Sequence, residues 1–212
     1  MKNFLSITLI KYLLLVSFLL AGVGEVFSFQ STFVPLSESR LWIEGSSNVN
    51  EFECQAEEYD GEATIPQEED PLANIAPAEN QILSIKVDIQ VDSIECGKRK
   101  MNQDLQKALQ AEKYPQISFL YQSAELLSEP DNPDDGFQLE VQGLLTIAGT
   151  TKEIKFTTEA YYINSGSVRA RGGTTINMTD FGVEPPTALM GLIRANEELT
   201  VNFDLIAKPR NI

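Results

Sequence analysis

The chain has 212 residues, with 16 Lys and Arg against 31 Asp and Glu, a formal net charge of −15, and no histidine. Such a surface repels phosphate backbones and anionic headgroups, so nucleic acid is disfavoured as a partner. Without histidine, Ser-His-Asp and Cys-His catalysis and His-ligated metal sites are excluded, and two cysteines alone make a poor structural zinc site.

Residues 1–28 read as a leader. Lys2 and Lys11 precede the apolar run Tyr12 to Val23, which ends in small residues. A basic start, a short apolar middle and a small-residue end describe a secretory signal peptide. A membrane anchor is the alternative, but the run is short against the roughly 20 residues that span a bilayer. Val23 stands where a bacterial lipoprotein would carry cysteine. Removing Lys2, Lys11 and Glu25 with the leader makes the exported chain one unit more negative. The expected location is therefore periplasmic or extracellular, with residues 29–212 as one domain.

The rest of the chain alternates with period 2. Phe29 to Leu36 reads as a short strand. Ser39 to Gln55 reads as one long strand, bent near Gly45, where a missing side chain permits a bulge. Tyr59 to Ile65 continues the sheet. The carboxylates between Glu57 and Asp70 match no calcium-loop spacing and read as solvated loop. Pro66, Pro71 and Pro77 mark a connection. Ile82 to Ile94 is the clearest strand, with Ile85, Val87, Ile89 and Val91 set against Lys86, Asp88, Gln90 and Asp92.

Lys98 to Ala111 changes period: Met101, Leu105, Ala108 and Leu109 recur at three- and four-residue spacing, the pattern of a short amphipathic helix. Ile117, Phe119 and Tyr121 open a strand running to about Leu127, and the loop Glu129 to Gly136 leads on. Phe137 to Tyr162 reads as a hairpin turning at Ala148 to Thr151. Leu139 and Val141 face one way before the turn, as do Ile154 and Phe156 after it. Asn164 to Gly166 is a second tight turn. Ser167 to Met178 is a strand with Arg169 and Arg171 on one face. Asn177-Met178-Thr179 fits a glycosylation sequon, which matters only in a eukaryotic secretory pathway. Pro185 to Leu192 is a loop, and Leu199, Val201, Phe203 and Leu205 alternate in the last strand.

About eight strands with short connections, one inserted helix (about 98–111) and no βαβ alternation predict an all-β, closed antiparallel barrel, with a β-sandwich as the alternative. Cys54 and Cys96 form an even pair in an exported chain, which predicts one disulfide; two unrelated buried thiols are the other reading.

Four segments resemble the YceI-like family of exported polyisoprenoid-binding proteins. Tyr114-Pro-Gln-Ile-Ser-Phe119 is similar to that family's Tyr-Pro-x-Ile-x-Phe motif, and Gly143-Leu-Leu-Thr-Ile-Ala-Gly-Thr-Thr-Lys152 to its Gly-x-Leu-Thr-Ile-x-Gly-x-Thr-Lys signature. Asp180-Phe181-Gly182 and the strand from Val87 to Ile94 stand in the matching order. The resemblance implies a lipocalin-like barrel of eight strands around an apolar cavity that binds a long-chain isoprenoid or similar lipid. It is compatible with a homodimer, for which no stretch of the sequence argues. The chain departs from the family between Gly45 and Phe52, where members often carry histidine and Ser46, Ser47, Asn48 and Asn50 stand here.

Ile85, Val87, Ile89, Phe119, Tyr121, Leu139, Val141, Ile154, Phe156, Val201 and Phe203 are the expected inward set. They either line a cavity for hydrocarbon, worth about 0.8 kcal/mol per buried methylene, or simply pack together as core. A non-enzymatic lipid carrier is thus set against an exported interaction barrel with a packed core. No carboxylate pair sits in a catalytic motif, and neither a cofactor nor a metal is expected.

Overall fold

In the computed structural model, residues 30–66, 84–128, 136–163 and 166–210 are described. The residues read from the sequence as a leader, as the Pro-rich connection after Pro66, as the loop before Gly136 and as a turn at Asn164 and Ser165 lie outside them. Twelve strands are present among the described residues: β1 (Gln30–Pro35), β2 (Arg40–Ser47), β3 (Glu51–Ala56), β4 (Tyr59–Pro66), β5 (Ser84–Gln90), β6 (Ile94–Glu95), β7 (Gln116–Ser128), β8 (Phe137–Ile147), β9 (Thr150–Ile163), β10 (Ser167–Asn177), β11 (Thr187–Ala188) and β12 (Ile193–Pro209). One helix, α1 (Arg99–Ala108), lies between β6 and β7.

All pairings are antiparallel, and the sheet closes. From β4 the order runs through β5, β7, β8, β9, β10 and β12 to β1, which returns to β4, a ring of eight. β1 and β2 follow each other along the same edge of β12. β3 and β4 likewise form one interrupted strand, as do β5 and β6. Eleven of the twelve segments therefore form an eight-stranded meander barrel in which three strands are broken, and β11 pairs with β12 outside the ring.

The breaks are patched by hydroxyls. Between β1 and β2, buried Ser39 stands in for a ladder pair: its Oγ donates to Ile206 O at 3.0 Å and accepts from Ile206 N at 2.9 Å. Between β5 and β6 the chain makes a 3-10 turn over Val91–Ser93. There Ser93 Oγ accepts from Glu58 N at 3.1 Å and donates to Gln90 O at 2.8 Å. An unpaired buried backbone group costs about 1–3 kcal/mol, which these two serines avoid.

Two sequence expectations are corrected. The long strand from Ser39 to Gln55 is the hairpin β2–β3, which turns at Asn48 to Asn50; Ser47 Oγ accepts from the N–H groups of Val49 and Asn50 and so fixes the turn. The ladder to β12 does shift register beside Gly45, between the pairs Gly45–Leu199 and Ser47–Ala195, and Gly45 is also a point of close approach, where a Cβ would lie 2.5 Å from the Phe52 ring and 2.6 Å from Leu199. The strand from Ile82 to Ile94 stops at Gln90, because Val91 turns inward to donate its N–H to Pro115 O.

The β8–β9 turn has positive φ at both central residues, 47° at Ala148 and 78° at Gly149, as a two-residue hairpin of matching twist requires. Tyr114 lies flat on Gly149, where a Cβ would sit 2.5 Å from its ring. That contact seats the end of the α1 connection on the barrel. At its other end the helix is held by Cys96, bonded to Cys54. The two residues face each other across β3 and β6, next to the paired Gln55 and Glu95. Closing a loop of 42 residues' separation stabilises the fold by about 4 kcal/mol in the chain-entropy model. Cys54→Ser/Cys96→Ser is expected to lower the denaturant-unfolding free energy by up to that amount. An unchanged midpoint would show that the bridge constrains nothing.

Candidate functional site

Period-2 alternation sends one face of every strand into the lumen, and on β8 it does so without exception: Phe137, Leu139, Val141, Gly143, Leu145 and Ile147 are all buried. The lumen is not filled. A cavity of about 250 Å³ runs along it. Its floor is made by Leu105 and Leu109 of α1 together with Met178, Phe181 and Val183, which follow β10. Asn177 caps that 3-10 turn by accepting from Thr179 N at 2.9 Å, and Gly182 ends it at φ 70°. The Asp-Phe-Gly triplet is therefore a plug, with Phe181 inward and Asp180 exposed.

Ten of the inward residues read from the sequence stand in the cavity wall. Ile85, Val87 and Ile89 come from β5, Phe119 and Tyr121 from β7, Val141 from β8, Ile154 and Phe156 from β9, and Val201 and Phe203 from β12. Leu139 does not. It faces inward, but it packs with Phe137, Val141 and Ala160 in a second cluster that Ala124, Leu126 and Tyr162 complete. That cluster fills one side of the barrel end opposite α1. The sequence reading missed Leu105 and Leu109, which it placed correctly on an apolar helix face without assigning that face to the lumen. It also missed the shorter inward rows of β2, β3 and β10, which contribute Leu41, Ile43, Ala56, Ala170 and Ile176.

The wall carries no carboxylate, amine or free thiol. Its hydroxyl-bearing residues are Tyr121, Thr158 and Thr174. Thr158 Oγ1 is occupied, donating to Arg171 O at 2.8 Å. Burial pushes the Tyr121 phenol above its usual range, against the opposing pull of the Ala124 backbone N–H. The Thr158 hydroxyl is thus engaged, and burial favours the protonated Tyr121 phenol. Among the described residues no group of three or more His, Cys, Asp or Glu side chains could hold a metal ion, and no helix is long and apolar enough to cross a membrane.

Charge is confined to the outer face. Arg169 clamps Asp204 with two hydrogen bonds of 2.7 and 2.6 Å, and Arg171 Nε lies 3.3 Å from the same carboxylate. The Arg169 hydrogen bonds hold the Asp204 carboxyl below its usual range. On β5, burial raises the Asp88 carboxyl, but hydrogen bonds from Lys86 and Ser118 outweigh it and leave the group lowered.

A family profile described as YceI-like domain matches residues 35–207. The chain belongs to the YceI-like domain family. Solved structures agree on the fold. BcnA of Burkholderia cenocepacia superposes with a TM-score of 0.62 at 20% identity, covering 82% of this chain and 99% of that one. A polyisoprenoid binding domain from Saccharophagus degradans, implicated in plant cell wall breakdown, gives 0.62 at 11% identity over 86% and 100%. The Campylobacter jejuni YCEI protein gives 0.54 at 19% over 75% and 85%. No curated protein matches the chain.

Because the folded Asp204 pKa is depressed, its stabilising effect is present above the unfolded carboxylate value of about 4 and is lost as pH falls through the lower folded value. Asp204→Asn is expected to flatten the acid limb of the stability–pH curve below about pH 4. Thermal melts between about pH 2 and 7 check this, and a variant curve parallel to that of the parent would contradict it.

Proposed function

We propose that this protein binds the hydrocarbon chain of a long-chain isoprenoid or similar single-chain lipid by burial, without catalysing a reaction, as an exported carrier or sequestering protein. The observation that carries this reading is the wall: a cavity surfaced almost wholly by aliphatic and aromatic side chains, with no carboxylate, amine or thiol on it. Such a surface offers a ligand nothing but removal from water. At about 0.8 kcal/mol per methylene, ten buried carbons supply roughly 8 kcal/mol gross. Association costs about 4 kcal/mol or more of that, so much shorter chains are not retained.

The volume adds a second constraint. About 250 Å³ falls just under the roughly 300–1,000 Å³ typical of pockets for compact drug-sized ligands. One slender chain suits it; a two-tailed phospholipid does not. The headgroup stays outside, since the wall offers it no charged partner. The polyisoprenoid binding named for the Saccharophagus domain of the same fold supports an isoprenoid as the chain. Export to the periplasm or beyond is supported by the leader pattern and by the disulfide, which persists in oxidising compartments.

The alternative, an interaction barrel, draws on one observation. Leu189, Met190 and Leu192, at the turn between β11 and β12, are among the most exposed large apolar side chains. Organic extraction and mass spectrometry of the purified protein discriminate the two. The carrier reading expects a stoichiometric single-chain lipid, and a rise in melting temperature when that lipid is added back to stripped protein. Absence of any lipid, with no melting-temperature response to single-chain lipids, would overturn it.

A further inference from the structure

Part-way along the lumen runs a belt in which large and small side chains alternate from strand to strand. Going round the barrel, the inward residues are Phe119 on β7, Gly143 on β8, Phe156 on β9, Gly172 on β10 and Phe203 on β12. Each outer ring lies over a neighbouring glycine. A Cβ at Gly143 would meet the Phe119 ring at 2.4 Å, and one at Gly172 would meet the Phe203 ring at 2.7 Å. Sunk into those recesses, the outer rings hold Phe156 between them edge-on. Centroids are 5.7 Å apart for Phe119–Phe156 and 5.6 Å for Phe156–Phe203, with interplanar angles of 60° and 78°. Tilted and edge-to-face pairs at such distances are the favoured aromatic geometry, so the row is rigid.

The circuit is completed by smaller residues. Val87 on β5 pairs with Phe119, and Leu41 on β2 pairs with Phe203. The remaining strand, β3/β4, puts Ala56 in the wall. That strand lies four removed from β9 in the ring of eight, on the far side of the lumen from Phe156. The three rings narrow the passage at their level from one side.

We infer that the Phe119–Phe156–Phe203 row forms a gauge that selects the bound lipid by its cross-section, admitting one slender chain and rejecting fused-ring lipids such as sterols. This rests on the carrier reading above and adds the residues that set its selectivity. Glycine at 143 and 172 is then required to recess the outer rings, and Phe156 is the residue whose size sets the aperture.

The experiment compares a slender probe, hexadecanol, with a wide one, cholesterol, using stripped protein. The wild-type chain is expected to prefer hexadecanol by on the order of 100-fold, the discrimination an apolar site reaches on size. Phe156→Leu keeps the site apolar and widens it, and should cut that preference about tenfold or more by admitting the sterol. Ala56→Leu adds bulk to the cavity wall instead of opening a cavity. It should abolish hexadecanol binding while the melting temperature holds or rises. If wild type binds hexadecanol and neither variant alters the preference or the binding, the gauge is refuted and the carrier reading survives. If wild type binds neither probe, both fail. Ala56→Leu also guards against the possibility that Phe156→Leu unfolds, since it removes no packing.

Discussion

β12 is the constraint on which the barrel depends. Its 17 residues pair with β10 along one edge, and with β2 and then β1 along the other. Without that double edge the meander would remain an open sheet with two exposed ladders, an invitation to edge-to-edge association. Because β1 and β2 join β12 at slightly different places, the ladder has a gap at Ile206, and Ser39 spans it. Closure also explains why the interior is hollow. An eight-strand ring has a circumference set by backbone hydrogen bonds and shear, not by the volume of the side chains inside it. Where the inward residues are Ala56 and Ala170, the wall cannot move in to meet them without breaking the ladder. The space persists as a cavity.

The inner face of the long strands was readable from the sequence because their two faces differ chemically. Leu139, Val141, Ile154, Phe156, Val201 and Phe203 alternate with polar neighbours, and all face inward. The lettering misled where the pattern outlasted the structure. Val91 continues the alternation of β5, yet it belongs to a 3-10 turn whose driving contact is the distant Pro115 carbonyl. The turn at Asn48 to Asn50 contains neither Gly nor Pro, and Ser47 closes it with a side-chain hydrogen bond that composition does not announce.

At the site itself, period could separate inside from outside but could not say which inside residues touch one another. Leu139 is fully buried like much of the wall, yet it packs against Phe137 and Ala160 at one barrel end. Leu105 and Leu109 needed the converse knowledge: that the apolar underside of a helix closes the other end. The family glycines were readable only as turn or strand residues. In three dimensions Gly149 is the seat for Tyr114 and Gly143 is the recess for Phe119, so two separate sequence motifs meet twice, once at the barrel end and once in the lumen.

A wall without charged groups, a floor made from a tethered helix and a plug at Phe181, and charges held on the outer face in pairs such as Arg169–Asp204 all serve one purpose, keeping an apolar space open. The most direct check is a crystal structure of the protein as purified, refined with attention to density inside the barrel. Elongated density running past Phe156 toward Leu105 and Leu109 is the predicted result. A lumen in which Phe156, Ile154 and Leu199 have swung together to fill the space, leaving no room for a chain, would contradict it.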